Sequence, residues 1–182
     1  MSPIQAFHFC PRCGSALFRV SGERSLSCGD CHLQYYVNSA AAVACLIFNN
    51  EGKLLVTRRA VDPDKGKLDL PGGFIDPNET AEEAVVRELR EELGAEVTGM
   101  RYLTSRANQY PFSGITVYTT DLAFLVEIKS PDHLTANDDI SSFMWVDPRT
   151  VDPEEIPAPS IRTFITEIAV HQLNDQALHN RI

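Results

Sequence analysis

The sequence predicts a mixed α/β (α+β) domain that is preceded by a small cysteine-containing ribbon. Four of the five cysteines lie within the first 31 residues, in two closely spaced pairs. After residue 36, short apolar runs alternate with turn signals, which is typical of strands. Two longer segments have the apolar spacing of helices. Because 182 residues suffice for one ordinary domain with an appendage, we expect a ribbon over residues 1–36 and one α/β domain over residues 37–182.

The overall composition is that of a globular protein and excludes several classes of function. Hydrophobic residues make up 43% and charged residues 23% of the chain. No run approaches the roughly 18 apolar residues of a membrane helix, and the N-terminus lacks the basic start and apolar run of a secretory signal. We therefore expect a cytoplasmic protein without a membrane partner. The formal net charge of −9 repels phosphate backbones, which makes general nucleic-acid binding a poor expectation.

The N-terminal cysteines have the spacing of a four-thiolate zinc site. They form a C-x2-C pair, 14 intervening residues and a second C-x2-C pair. Two disulfides are the alternative, but nothing in the sequence indicates an oxidising compartment. The sequence therefore predicts structural Zn²⁺ bound by Cys10, Cys13, Cys28 and Cys31. The fifth cysteine, Cys45, lies in an apolar run and is interpreted as a small buried hydrophobe.

The segment between the cysteine pairs reads as a hairpin, with strands at 16–20 and 25–27. Three arginines and two acidic residues lie before residue 37, so the ribbon offers no basic stripe to a nucleic acid. So short a segment cannot bury enough apolar surface to fold alone. Metal binding would therefore supply much of its folding free energy.

Beyond the ribbon, the apolar pattern predicts five strands and two helices. The predicted strands are Ala40–Phe48, Lys53–Arg59, Lys67–Leu70, Thr116–Ile128 and Phe143–Val146. One helix extends from about Thr80 to Leu93. The other begins after Ser160 and is expected to bury the apolar positions Ile161, Phe164, Ile165 and Ile168.

The first helix has well-defined predicted ends and a cluster of acidic residues. Thr80 and Glu83 have the spacing of a capping box, and Gly94 is suited to end the helix. At 100° per residue, three glutamates share an arc of about 100°: Glu88, Glu91 and Glu92. Ala81, Ala84 and Val85 are expected to continue this face and leave open space beside the acids. The residues expected to anchor the helix to a sheet are Val86, Leu89 and Leu93.

Three carboxylates this close repel each other unless a cation lies among them. An all-oxygen cluster suits a hard divalent ion such as Mg²⁺ or Mn²⁺. A solvated acidic helix face is the alternative that the helix alone leaves open.

The residues around this helix resemble the Nudix box, Gly-x5-Glu-x7-Arg-Glu-U-x-Glu-Glu-x-Gly-U, where U is a bulky aliphatic residue. The matching string begins at Gly73 and ends at Ala95, and every fixed polar and glycine position agrees. The one departure is Ala95 at the last aliphatic position. Together with the four-cysteine ribbon, the chain resembles the NADH pyrophosphatase branch of this superfamily.

The resemblance implies both a fold and an activity. The fold is an α/β/α sandwich around a mixed β-sheet, with the box forming a loop–helix–loop. The activity is hydrolysis of the pyrophosphate bond of a nucleoside diphosphate derivative, dependent on Mg²⁺ or Mn²⁺, with release of a nucleoside monophosphate. NADH, FAD and ADP-ribose are the leading expected substrates.

Residue roles follow from the same resemblance. The expected metal ligands are Glu88, Glu91, Glu92 and the carbonyl of Gly72. Glu79 is expected as an auxiliary acid, and Arg87 as the residue that orients the box, since at i, i+4 it reaches Glu91. The attacking water is expected to lose its proton to a carboxylate of the box.

Two regions depart from the NADH pyrophosphatase pattern. That branch has a further acid three residues before the tryptophan that matches Trp145, and here the position is Ser142. Asp138 and Asp139 lie nearby but out of register. The substrate motif of that branch is only partly echoed in residues 105–113.

Three residues are candidate substrate contacts. In the partly matching stretch, Tyr110 or Phe112 could stack on a base. Arg58, at the end of a strand, could meet a phosphate. Ordinary strand-edge residues are an equal alternative for all three.

A second class of function remains open beside the hydrolase. The chain could be a non-catalytic nucleotide-sensing or RNA-associated module, although its box acids are intact. The expected partner is a small nucleotide, with NAD-capped RNA as the one nucleic acid compatible with the resemblance. Relatives of this type often pair, so the resemblance also favours a homodimer.

Overall fold

The computed structural model describes residues 3–179. The chain divides into two compact units. The first comprises Met1–Ala40 together with Gln109–Thr119, and the second comprises Ala41–Asn108 together with Thr120–Ile182. The boundary after residue 36 stays a prediction, because the first unit includes a segment that is distant from the ribbon in sequence.

The first unit is built on a small antiparallel sheet. After a short helix α1 (Pro3–Ala6), the sheet has the order β1-β2-β3, with strands β1 (Phe18–Gly22), β2 (Ser25–Cys28) and β3 (Gln34–Tyr36). The predicted hairpin corresponds to β1 and β2, whereas β3 was not predicted. Four buried residues of this unit form a small hydrophobic cluster: Cys10, Phe18, Leu26 and Cys28.

Apart from the segment Gln109–Thr119, which belongs to the first unit, the second unit contains two three-stranded sheets where the resemblance implied one mixed sheet. Their strands are β4 (Ala40–Leu46), β5 (Leu54–Arg59), β6 (Leu68–Asp69), β7 (Val97–Phe112), β8 (Ile115–Ile128) and β9 (Ile140–Val146). The orders are β4-β8-β7 and β6-β5-β9. A hydrogen bond of 2.9 Å from the Leu55 N–H to the Ile47 carbonyl links the two sheets.

Helices cover both faces of this sheet layer. Helix α2 (Ala81–Leu93) lies on one face. On the other lie α3 (Pro159–Thr163), a π-helical turn (Phe164–Ala169) and α4 (Val170–His179).

Alternation along the strands shows that the sheets separate two cores. Leu55 contributes to the core under α2, whereas Leu54 and Val56 contribute to the core under the C-terminal helices. Successive strand side chains point to opposite faces, so the order of layers is helix, sheet, helix. The predicted α/β/α sandwich is confirmed. Within residues 3–179, no helix has both the length and the apolar character needed to cross a bilayer.

Two expectations for α2 were wrong. Ala84 and Val85 are fully buried in the core that also contains Leu89, so they do not border open space beside the acids. Val86 is exposed and does not anchor the helix, whereas Leu93 does. The buried face of α2 therefore lies closer to its acidic face than the spacing of 100° per residue had suggested.

Candidate active site

Helix α2 begins and ends where local sequence predicts. The Thr80 Oγ1 accepts a hydrogen bond from the Glu83 N–H at 3.2 Å, and the Glu83 carboxylate accepts one from the Thr80 N–H at 2.8 Å. Gly94 adopts a left-handed conformation with φ 65° and donates its N–H to carbonyls of the last helical turn. This capping fixes the position from which the glutamates project.

A glycine turn is held against strand β4 and against two of these glutamates. Gly72 has φ 137°, and a Cβ at this position would overlap the Val43 carbonyl oxygen. A Cβ on Gly73 would lie 2.5 Å from the Glu88 Oε1. The Gly72 N–H donates to the Glu92 Oε2 at 2.9 Å. Only glycine permits this close approach of backbone to carboxylates.

Arg87 holds three carboxylates in one network. Its Nε and Nη2 donate to the two oxygens of Glu79 at 2.8 Å each. Its Nη1 donates to Glu88 at 2.8 Å and to Glu91 at 3.2 Å. The bonds from Arg87 to Glu79, together with one from the Asp76 N–H, lower the pKa of Glu79 to about 2. Arg87 thereby orients the helix acids and fixes them to the preceding loop.

The three helix glutamates differ sharply in exposure. Glu92 is 5% exposed, whereas the side chains of Glu88 and Glu91 are 13% and 43% exposed. Burial, together with neighbouring negative charges, raises the pKa of Glu92 to about 8. Burial also raises the pKa of Glu88. A cation at these carboxylates would stabilise their charged forms.

The donor set fits a hard divalent cation. It consists of carboxylate oxygens and a backbone turn, which is the chemistry that Mg²⁺ and Mn²⁺ prefer. Within residues 3–179, the four cysteines are the one group of potential ligand atoms that all lie within 4.8 Å of one another. The oxygens of the three glutamates do not form such a group, and Arg87 bridges Glu88 and Glu91. Their role as metal ligands stays a prediction.

The charges of three further carboxylates act on this site. The charge of Asp138 contributes to the raised pKa of Glu88, and those of Asp69 and Asp139 contribute to the raised pKa of Glu92. Sequence reasoning missed Asp69, although its position shortly before the glycine turn was an available signal. Its Oδ2 accepts a hydrogen bond of 2.9 Å from Arg59, the basic residue that ends β5.

The register of β9 explains why Ser142 lies away from the acidic helix. Ser142 pairs with Arg58, and Met144 pairs with Val56. Because Met144 and Val56 pack under the C-terminal helices, alternation puts Ser142 on that same face. A bulge at Ser141 then shifts the pairing of the residues before it.

The candidate substrate contacts fall in different units. Arg58, in the second unit, donates to the Gly66 carbonyl at 2.7 Å and to Glu155 at 3.2 Å. Tyr110 and Phe112, in the first unit, stack with ring centroids 6.1 Å apart. Arg58 is thus already engaged by protein groups, and substrate binding by any of the three stays a prediction.

The N-terminal thiols have the geometry of a metal site. The sulfur atoms of Cys10 and Cys31, and those of Cys13 and Cys28, are 3.6 Å apart. Thiolates at about 2.3 Å from a tetrahedral Zn²⁺ lie roughly 3.8 Å from each other, whereas a disulfide requires about 2.05 Å. The backbone N–H of Cys31 helps to lower the pKa of the Cys28 thiol to about 6, which favours the thiolate.

The fifth cysteine behaves as predicted. Cys45 has no exposed surface and belongs to the core under α2. Burial raises the pKa of its thiol well above the usual range, so Cys45 is a packed hydrophobe and a poor nucleophile.

The fold and the site define a class: an α/β/α domain with a glycine turn and an arginine-bound acidic helix, preceded by a four-thiolate ribbon. The NUDIX domain matches residues 38–166, which is most of the chain, so the chain belongs to the Nudix family. The NADH pyrophosphatase zinc ribbon domain matches residues 6–36. With the clustered thiols, this match confirms the predicted zinc ribbon. Nudix enzymes use Mg²⁺ or Mn²⁺, in agreement with the predicted cofactors.

Two kinds of similar protein support this family assignment. The chain is 29% identical over 163 residues to the NAD-capped RNA hydrolase NudC of Pseudomonas putida (strain GB-1), covering 89% of this chain and 55% of that protein. It is 26% identical over 169 residues to the same enzyme of Vibrio atlanticus (strain LGP32), covering 93% and 60%. The chain therefore spans little more than half the length of these relatives.

A solved structure shows the same fold. The crystal structure of a NUDIX hydrolase from Nitrosomonas europaea superposes with a TM-score of 0.66 at 23% identity. The superposition covers 91% of this chain and 92% of that chain, so the likeness includes most of both molecules.

Proposed function

We propose that the chain is a divalent-metal-dependent hydrolase of the pyrophosphate bond in nucleoside diphosphate derivatives. The observation that carries this proposal is the contact between the glycine turn and the buried acids. The Gly72 N–H donates a hydrogen bond to Glu92. Glu88 lies so close to Gly73 that a side chain at Gly73 would overlap its carboxylate. Such an arrangement concentrates carboxylate oxygens at one partly exposed turn, where a charged substrate could approach.

Each residue then has a definite task. The chemistry that Mg²⁺ or Mn²⁺ would supply at this site is neutralisation of phosphate charge and activation of water. Glu88, Glu91 and Glu92, with the Gly72 carbonyl, would hold the ion, and Arg87, which is bound to Glu79, would keep Glu88 and Glu91 oriented. Water oxygen bonds to phosphorus as the bridging P–O bond breaks, and the water proton passes to a box carboxylate. The products are two phosphate monoesters.

The expected substrates are dinucleotides such as NADH, FAD and ADP-ribose. The relatives are named as hydrolases of NAD-capped RNA, which contains the same dinucleotide linkage. The net charge of −9 favours a small substrate over a long RNA, because the RNA adds phosphate repulsion at every nucleotide. NAD-capped RNA is therefore a secondary candidate.

Turnover of a substrate panel tests the proposal. Purified protein with Mg²⁺ or Mn²⁺ is offered NADH, FAD, ADP-ribose and NAD-capped RNA, and nucleoside monophosphate is quantified by chromatography. Glu91→Gln and Glu92→Gln are each expected to lower kcat by roughly 10²–10⁴-fold. Glu82→Gln, an exposed glutamate in the first turn of the same helix, is the control and is expected to keep normal turnover.

The alternative function predicts a different result from the same panel. A non-catalytic sensor would bind one of these nucleotides at micromolar concentration and release no product. Near-normal rates in both Glu91→Gln and Glu92→Gln would also contradict the proposed site.

We further propose that the protein acts in the cytoplasm and pairs as a homodimer. Both proposals follow from the resemblance to zinc-ribbon Nudix enzymes. A molar mass of one subunit, measured by light scattering of the purified chain, would exclude the dimer. Recovery of the native protein in a membrane or extracellular fraction would exclude the location.

A further inference from the structure

The four thiols of the ribbon differ in their exposure to solvent. Cys10 and Cys28 are 2% and 3% exposed and belong to the small hydrophobic cluster of the first unit. Cys31 is half-buried, whereas Cys13 is exposed. The zinc site therefore presents one of its four cysteines to the solvent, while two others lie in the core of the unit.

The turn that carries Cys13 is open on its outer side. Four consecutive residues of this turn are exposed: Pro11, Arg12, Cys13 and Gly14. Gly14 has φ 74°, and within the described residues no atom beyond its chain neighbours lies within 4 Å of its Cβ position. The Gly14 N–H donates to the Cys10 carbonyl at 2.9 Å, which holds the base of the turn. A small oxidant can therefore approach the site from the side of Cys13.

The sulfur atoms of the two cysteine pairs lie close to each other. The Cys13 Sγ is 3.6 Å from the Cys28 Sγ, and the Cys10 Sγ is 3.6 Å from the Cys31 Sγ. A disulfide requires about 2.05 Å, so joining Cys13 to Cys28 requires a movement of about 1.5 Å. Because Cys13 lies in an exposed turn, that turn can supply the movement while Cys28 stays in the core.

We propose that Cys13 is the site at which a peroxide oxidises the ribbon, and that its oxidised sulfur forms a disulfide with Cys28 and releases the zinc ion. Zinc binds cysteine as the thiolate, which is the nucleophilic form of the side chain. Exposure and a second cysteine nearby favour oxidation of a thiolate. Cys13 has both properties, whereas Cys45 has no exposed surface.

The reaction balances with one molecule of hydrogen peroxide. The Cys13 sulfur attacks a peroxide oxygen, the O–O bond breaks, and hydroxide departs from the sulfenic acid. The Cys28 thiolate then attacks the Cys13 sulfur, the S–O bond breaks, and a second hydroxide departs. Solvent protons convert both hydroxides to water, so the two sulfurs lose the two electrons that the peroxide gains. Cys10 and Cys31 are too few ligands for a tetrahedral zinc site, so the ion leaves.

Loss of the ion affects the whole first unit. Two of the four residues in its hydrophobic cluster, Cys10 and Cys28, are also members of the thiol group. The same unit contains Gln109–Thr119, with the candidate substrate contacts Tyr110 and Phe112. Oxidation would therefore act on the unit that carries these contacts. The inference itself requires only zinc and thiols, so it does not depend on the proposed hydrolase function.

Zinc release and thiol mapping on the full, zinc-loaded chain test the inference. Hydrogen peroxide is titrated in, released Zn²⁺ is measured with a chromogenic chelator, and disulfides are located by mass spectrometry after alkylation of free thiols. We expect about two thiols to be lost for each zinc ion released, with Cys13–Cys28 as the first disulfide and Cys45 still reduced. A dithiol reductant with added Zn²⁺ is expected to restore the metal.

Two variants sharpen the test. Cys13→His keeps four zinc ligands and removes the exposed sulfur, so it is expected to raise the peroxide concentration for half-release by about tenfold or more. Cys45→Ala is the matched control and is expected to release zinc as wild type does. Should Cys13→His fail to bind zinc, the disulfide map of wild type decides the question.

Three results would overturn the inference. The first is zinc that stays bound at peroxide concentrations that already oxidise the buried Cys45. The second is a first disulfide that does not include Cys13. The third is zinc release with sulfinic or sulfonic acids and without a disulfide, since the metal would then be lost by irreversible damage.

Discussion

Gly72 combines two constraints that act on the same atom. Its φ of 137° disfavours any L side chain, and the space that a Cβ would need is occupied by the Val43 carbonyl. The backbone of Val43 cannot move away easily, because it is hydrogen-bonded to the glycine turn through the Val43 N–H and the Gly73 carbonyl. The glycine therefore determines how closely the turn approaches Glu92.

Gly72→Ala is expected to destabilise the fold by at least about 3 kcal/mol, because a methyl group must displace backbone. The control is Gly66→Ala. Gly66 also has a positive φ, 83°, but nothing lies within 4 Å of its Cβ position. Gly66→Ala is expected to lower the free energy of unfolding by only about 1–2 kcal/mol. Urea unfolding measures both, and equal losses would contradict the steric account.

Individual site residues were predictable where the contact is local in sequence. The spacing of Arg87 and Glu91 predicted their ion pair, which forms at 3.2 Å. The resemblance, by contrast, directed attention to Ser142 and gave no sign of its sheet face. That face follows from the register that pairs Ser142 with Arg58 and Met144 with Val56, and this register is not visible in the sequence.

Helix α2 illustrates how far local signals determine an element. Both of its ends follow from residues within four positions of the terminus, so the capping prediction is confirmed. Its buried stripe was predicted less well, because a wheel shows which residues share a face but not which face meets the sheet. Packing against the sheet buried Ala84 and Val85 and left Val86 exposed.

Thr80→Ala is expected to lower the free energy of unfolding by about 1 kcal/mol, since the Glu83 N–H loses its acceptor at the helix N-terminus. Thr80→Ser keeps the hydroxyl and is expected to stay within about 0.5 kcal/mol of wild type. Denaturant unfolding of the two variants compares them directly. Equal destabilisation by serine and alanine would show that the methyl group, and not the cap, is important.

Strand β7 was missed for a physical reason. It extends over 16 residues from Val97 to Phe112, yet it contains Gly99 and Pro111 and shows no sustained alternation of buried and exposed side chains. The strand is stabilised by pairing with β8, which has a much clearer apolar pattern. Partner-dependent strands of this kind are poorly visible in a single sequence.

At the scale of the molecule, the two units differ in what can hold them folded. The second unit has two extensive apolar cores, one on each face of its sheets. The first has four buried core residues, and two of these, Cys10 and Cys28, belong to the thiol cluster. Metal binding and core formation are therefore the same event in the first unit.

Removal of zinc by a chelator is expected to lower amide protection within residues 6–36 by roughly 100-fold or more, because the ribbon loses its central contacts. Hydrogen exchange measured by mass spectrometry follows each unit separately, and the core under α2 is expected to keep its protection. Cys45→Ala is the control and is expected to retain one zinc ion per chain. Unchanged thermal melting and exchange after chelation would rule out a structural site.

The hairpin tip Gln109–Thr119 groups with the N-terminal unit, although 68 residues separate it from Ala40. Dividing the chain at the predicted boundary after residue 36 would therefore not yield two units that fold independently. Deleting the ribbon would remove the rest of the unit to which this tip belongs, and the tip already exposes Phe112 and Tyr118. A chain shortened in this way is expected to self-associate, and any activity measured on it would first require showing that it remains in solution.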